Sequence, residues 1–265
     1  MAAYEEPELD QKLEEKARKK FNFEIEEEWS EGAKSESIKV DTLVHAAHGN
    51  GTAFIEVLMG DDQKQLVIYS LLVKDDEDEE EKKEPKEDRF GDKTLVKVYQ
   101  STKANVIFVI SQKDLGEASS NAIIKKLLNW IQPASILWFD SMFKTAYASF
   151  EYISDANILK YMKSSAYSTD LSKIGAEPVD VTNGFSSLNG GLMTYSEIHK
   201  IPCVLFVSIL DSYEFTMETF ASYKGVLEVS SDLSKHASSI EELPKKSNYK
   251  EVLKRHNQRK HNIYN

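Results

Sequence analysis

ANVIFVIS, residues 104–111, is followed by EASSNAIIKKLLNWIQ, residues 117–132, and then by ASILWFDS, residues 134–141. The outer two are short apolar runs rich in β-branched and aromatic residues. The middle one sets Ile123, Ile124, Leu127, Leu128 and Ile131 at helical spacing. Pro133, which cannot continue a helix, is expected to end it. Apolar strand, helix, apolar strand is the pattern of a right-handed βαβ unit in a mainly parallel sheet. The flanking sequence extends the pattern. DTLVHAAHGNGTAFIEVLMG (41–60) passes from an apolar run, Leu43 to Ala47, through Gly49-Asn50-Gly51 into a second apolar segment. It reads as strand, tight turn, helix.

QLVIYSLLV (65–73) is a second strong strand, and Leu95, Val96, Val98 and Tyr99 restart the fold as another. FNFEI (21–25) suggests a short edge strand, and Pro178-Val-Asp-Val is a further candidate. NGFSSLNGGLMTYSEIHK (183–200) reads as a Gly-flanked loop and then a helix carrying Leu192, Met193, Tyr195 and Ile198. IPCVLFVSIL (201–210) is the most apolar strand, and residues 217–223 sit in a helix ending near Gly225. The expected fold is a single α/β domain, a mainly parallel sheet with helices on both faces. Residues 1–37 form a charged, partly disordered N-terminal arm, 38–243 the domain, and 244–265 a basic C-terminal tail. Within the domain, 75–90 is an acidic insertion loop. Its core, 75–88, holds ten acidic residues and three lysines and nothing that could be buried.

The 265 residues carry a formal net charge of −11, which argues against a general nucleic-acid binder. A lone cysteine, Cys203, allows no disulfide within the chain and fits a reducing compartment. The N-terminus, MAAYEEPELDQKLEEK, resembles neither a signal nor a transit peptide, and no apolar stretch is long enough to span a bilayer. A soluble protein of the cytoplasm, with the nucleus also open to it, is expected, and no membrane partner.

Chemistry is sparse. Gly49-Asn50-Gly51 stands where a dinucleotide fingerprint would stand, but Phe54 occupies the third glycine position. A simpler account is a sharp turn into a helix capped by Asn50 or Thr52. His45 and His48, three apart in a strand, would face opposite sides and so not share a metal. Cys203, inside a strand, reads as inert packing. Asp140 and Asp211 follow strands, where α/β enzymes often place functional groups, but no nucleophile or base accompanies them. No cofactor, metal or catalytic residue is assigned. The alternative is an α/β-fold enzyme, hydrolase or phosphorylase-like, with a site near Gly49–Thr52 or Asp140.

Residues 244–265 read PKKSNYKEVLKRHNQRKHNIYN. Lys245 to His261 holds seven Lys/Arg against one Glu, opposite in sign to the rest of the chain. The ending, Ile263-Tyr264-Asn265, resembles the hydrophobic–Tyr–X signature of proteins that dock on the outer α-ring of the proteasome. Upstream, GGLMTYSEIHKIPCVLFVSILDSYEFTMETFASYKGVLE resembles the helix–strand–helix segment near the end of the proteasome assembly chaperone 1 family. Lys200-Ile201-Pro202 and Glu218-Thr219-Phe220 are the matching positions, and the unit at 43–59 resembles the family's first βα unit. The resemblance covers roughly residues 40–60 and 100–265. It implies a non-enzymatic chaperone that pairs with a homologous chaperone 2-like protein. The pair would sit on assembling 20S α-rings with C-terminal tails in pockets between α-subunits, and would block premature cap binding. Ile263, Tyr264 and Asn265 would be the partner-binding residues. An activator or adaptor sharing only the tail is a third class; an ATPase activator would need a GxxxxGK[ST] loop, which the sequence lacks. Tyr147, Phe150, Tyr152, Tyr161 and Met162, in loosely patterned stretches, are candidates for cover by the partner chaperone.

Overall fold

The computed structural model describes residues 24–29, 37–46, 50–59, 67–74, 94–111, 117–149, 158–185, 187–211 and 223–236. Strands β1 (Glu24–Trp29), β2 (Ile38–Ala46), β3 (Val67–Lys74), β4 (Thr94–Gln100), β5 (Val106–Ser111), β6 (Ile131–Phe143), β7 (Leu159–Lys163), β8 (Glu177–Pro178) and β9 (Cys203–Leu210) form one sheet. Their spatial order is β1-β3-β4-β5-β2-β6-β9-β7-β8. The centre, β5-β2-β6-β9, is parallel throughout. Antiparallel pairings join β1, β3 and β4 to one side of it and β7 to the other. The helices are α1 (Asn50–Met59), α2 (Glu117–Trp130), α3 (Ser187–His199), and the short α4 (Val226–Val229) and α5 (Ser231–Ser234).

Strand alternation sorts the core into two layers. Val44, Phe108, Leu137, Phe139, Val204 and Phe206 point to one face, where α1, α4 and α5 cover them with Phe54, Leu58, Leu227 and Leu233. Their chain neighbours Leu43, Ile107, Val109, Ile136, Trp138, Cys203, Leu205 and Val207 point to the other, under Ile123, Ile124 and Leu127 of α2 and Leu188 and Leu192 of α3. Every residue of β5 and of β9 is buried, which is why both read as unbroken apolar runs. Phe139 is the hub of the first layer, with ring centroids 5.1 Å from Phe54, 5.4 Å from Tyr223 and 5.7 Å from Phe206.

Three details depart from the sequence reading. The helix α2 ends at Trp130 and β6 begins at once, so Pro133 lies inside a strand rather than closing the helix. It sits opposite Val40 of β2, but pairing with β9 starts only at Ile136, so a residue without an N–H faces no second neighbour. The helix α3 starts at Ser187, and Gly190-Gly191 lie within it. A Cβ on Gly191 would stand 2.8 Å from Asn121 Oδ1 and 2.9 Å from Ile124 Cδ1, so the glycine lets α3 settle against α2. The strand around Pro178 is only two residues long, although the Val179 N–H still reaches Tyr161 O at 2.9 Å. The edge strand expected at 21–25 is observed as β1 at 24–29, with four glutamates in six residues. Pro178, which offers no N–H, stands in the strand at the opposite edge.

Candidate functional sites

The C-terminal ends of the central parallel strands are where α/β proteins most often bind ligands. Helix α1 starts there, and its first turn is closed to solvent: Asn50, Gly51 and Thr52 are all buried. A Cβ at Gly51 would lie 2.6 Å from Phe139 O and 2.9 Å from Phe139 C. Gly51 is therefore required by the contact between helix and strand. Asn50 does not cap the helix: among the described residues both polar atoms of its side chain lack a hydrogen-bond partner. Gly49 and His48 lie outside the described residues.

Beside this turn the structure joins two residues that the sequence could not pair. Ser111 Oγ lies 3.0 Å from His45 Nε2, a nucleophile–base distance. The rest of the arrangement speaks for packing. His45 is stacked on Trp138 with centroids 3.6 Å apart, and both Ser111 and His45 are buried. Burial pushes the imidazole down to about 3, too weak a base near neutral pH, and among the described residues its Nδ1 has no orienting partner. His45 is thus a core histidine. Cys203 is also buried, and its thiol is pushed up to about 12 by desolvation, as expected of packing rather than reactivity.

The two strand-end aspartates are engaged structurally. Asp140 lies within β6 rather than after it. Its Oδ1 accepts the Ser141 N–H at 2.7 Å and its Oδ2 the Asn189 amide of α3, while its main-chain oxygen accepts the Tyr223 hydroxyl. Asp211 pairs with Lys144 at 3.4 Å. Of the residues proposed for cover by a partner, Tyr147 belongs to the core: it is buried, and its hydroxyl accepts the Asp180 N–H at 2.9 Å. Tyr161 and Met162 are partly buried against opposite layers, as neighbours in β7 must be. Phe150 and Tyr152 lie outside the described residues.

At the opposite end of the sheet, the last described segment is fastened by a polar cluster that sequence reading missed. Thr42 Oγ1 donates to Asp232 Oδ2 at 2.8 Å, and Ser101 Oγ meets His236 Nε2 at 3.1 Å. These residues are 190 and 135 positions apart in the chain, so only the strand order brings them together. Ile263, Tyr264 and Asn265 lie beyond this anchor, outside the described residues.

The parallel four-strand centre, flanked by antiparallel strands and sandwiched by helices, defines an α/β architecture shared with several solved proteins. A Pyrococcus furiosus protein, PbaA, described as an archaeal homolog of proteasome-assembly chaperone, matches with a TM-score of 0.56 at 14% identity, over 91% of this chain and 98% of its own. PbaB from the same organism, an archaeal proteasome activator, matches with a TM-score of 0.51 at 10% identity, over 84% and 96%. A Thermoplasma acidophilum protein of unknown function matches at 0.53 and 13% identity, over 96% and 99%. At such identities the likeness is one of fold. No protein-family model matches the sequence, and no curated protein matches it. Among the described residues no helix is long and apolar enough to cross a membrane.

Proposed function

We propose that this chain is a non-enzymatic proteasome-assembly chaperone of the chaperone 1 type, which pairs with a homologous chaperone 2-like protein in the cytoplasm and nucleus. The pair binds the outer face of assembling 20S α-rings, promotes their correct formation and blocks premature cap binding. The observation that carries the reading is the likeness of fold to an archaeal homolog of proteasome-assembly chaperone over about nine-tenths of both chains. It agrees with the independent resemblance in sequence at Lys200-Ile201-Pro202 and in the tail. The closed first turn of α1 and the buried Ser111–His45 pair disfavour the enzyme reading.

The contact with the ring is assigned to Ile263, Tyr264 and Asn265, with Asn265 taken as the terminal residue. A terminal carboxylate pairs with a pocket lysine, a recurrent mode of recognition. Tyr264 supplies a rigid ring with a hydroxyl, the kind of group that dominates binding energies, and Ile263 fills an apolar niche. Seven Lys/Arg in Lys245–His261 steer the arm towards acidic surface.

Binding to α-rings is compared for wild type, Tyr264→Ala and a chain with one residue added after Asn265. Tyr264→Ala should cost on the order of 2 kcal/mol, about thirtyfold in affinity. The extension should be nearly as harmful, because it keeps every side chain and displaces only the carboxylate. Equal binding by all three defeats the assignment. The likeness to PbaB favours a second reading, an activator of the mature particle. Faster peptide hydrolysis by mature 20S particles on addition of the chain would select it.

A further inference from the structure

Where two neighbouring parallel strands send the chain to opposite faces of a sheet, a crevice forms at their C-terminal ends, and α/β proteins bind ligands there. In this sheet β2 and β5 are such a pair. They run parallel and side by side. The chain leaves β2 for α1, which packs on the face of Phe139, and leaves β5 for α2, which packs on the face of Trp138. Asn50 is the first of the ten residues of α1 and is 1% exposed. The first N–H groups of a helix have no partner within it. To these Asn50 adds a carbonyl oxygen and an amide nitrogen, both buried and, among the described residues, both without a hydrogen-bond partner. Exchanging the two atoms changes nothing, because neither position has a partner. A buried amide in this state is costly, and native folds satisfy such groups.

We propose that the N-terminus of α1 is a binding site for ordered water, held by the side chain of Asn50. The chemistry of the amide selects the ligand. Asn50 presents an acceptor and donors side by side, so its ligand must both donate and accept. One water molecule does this at once, donating to Oδ1 and accepting from Nδ2, and keeps a second hydrogen for another acceptor. The positive end of a helix also suits an anion. A fully ionised anion has no hydrogen to give Oδ1, however, and it would face a second oxygen. The Phe139 carbonyl oxygen lies against the same turn, 2.6 Å from where a Cβ on Gly51 would stand. The turn is buried from Asn50 to Thr52, and buried polar groups of this kind are where folded proteins keep internal water. The crevice that other α/β proteins give to a substrate is here given to solvent that belongs to the fold. This inference does not depend on what the chain binds elsewhere.

Water-selective NOE and ROE spectra of the whole, nitrogen-15-labelled chain test the site. Water that tumbles with the protein gives cross-peaks of opposite sign in the two spectra. They are expected at the side-chain amide of Asn50 and at the Gly51 N–H. Asn50→Leu keeps the size of the side chain and removes both polar atoms, so it should abolish the cross-peak at Gly51. The Thr52 hydroxyl stays in place in that variant, which separates bound water from exchange through the hydroxyl. If Asn50→Leu does not fold, a crystal structure of the wild-type chain grown without sulfate or phosphate decides the matter. It should show a water within hydrogen-bond distance of Asn50 Oδ1 and Nδ2. The proposal is overturned if the wild type gives no such cross-peaks, if Asn50→Leu keeps the one at Gly51, or if the crystal structure shows no water there. It is also overturned if millimolar inorganic phosphate shifts the Gly51 resonance and removes its water cross-peak, which would make the site one for anions.

Discussion

His45 stays neutral down to about pH 3 in the fold because it is enclosed by Trp138, Ser111 and the α2–α3 layer. In the unfolded chain the same ring protonates near 6.5. Between these values the unfolded state binds the extra proton, so stability rises with pH there and is lost as pH falls from 6.5 towards 3. The slope for one such group approaches about 1.4 kcal/mol per pH unit in the middle of that window. Urea unfolding of wild type and His45→Gln at pH 7, 5.5 and 4.5 measures it. The variant should be less stable at pH 7, having lost the stack on Trp138, but should lose less stability between pH 7 and 4.5. Parallel loss in both proteins would mean that His45 is not the group responsible. Residue identity alone did not announce this role. A histidine in an apolar strand is legible as a core candidate, but Ser111 is 66 positions away and becomes its partner only because β5 lies beside β2.

At the scale of elements, α3 and the strand after it show what sequence can and cannot specify. The apolar run of β9 and the periodicity of α2 are written in short windows, and both were legible. The start of α3 was not, because two consecutive glycines argue locally for a loop. Only the crowding against Asn121 explains why a helix tolerates Gly191 there. Pro133 misled in the same way, since its permissive neighbourhood is set by where β9 begins to pair. The end of α3 is instructive in the other direction. Lys200 takes φ 55°, and the Lys200 N–H reaches Glu197 O while the Ile201 N–H reaches Ser196 O at 2.9 Å. That is the Schellman closure, usually made by glycine. Lys200 makes it with a side chain, at a left-handed cost of about 1 kcal/mol. Its ammonium lies 3.3 Å from Glu197, an exposed pair that returns little. Lys200→Gly should therefore stabilise the protein by up to about 1 kcal/mol, read as a higher urea midpoint at unchanged slope. A lower midpoint would show that the lysine contributes more than its backbone costs.

At the scale of the molecule, the acidic loop tests how much of the chain the fold requires. The strands on either side of it, β3 and β4, are antiparallel neighbours, and Leu72 stands directly opposite Thr94. The chain that leaves β3 thus has almost no distance to cover before it enters β4. Residues 75–88 are not needed to span a gap, and they contain no apolar side chain apart from Pro85. Shortening a connection also lowers the entropy cost of closing it, by about 0.6 kcal/mol for each halving of its length. Electrostatics acts in the same direction, because the run carries ten acids and three lysines in a chain of net charge −11. Its removal takes away seven of those negative charges and the self-repulsion they bring. Replacing 75–88 with four Gly/Ser residues should leave the melting temperature unchanged or raise it slightly. A change of 1 kcal/mol would appear as roughly 2–4 °C in a domain of this size. A fall much beyond that would show that the acidic run is part of the folded structure. An unchanged melting temperature together with altered binding to α-rings would instead assign the loop to recognition, with the fold as its support.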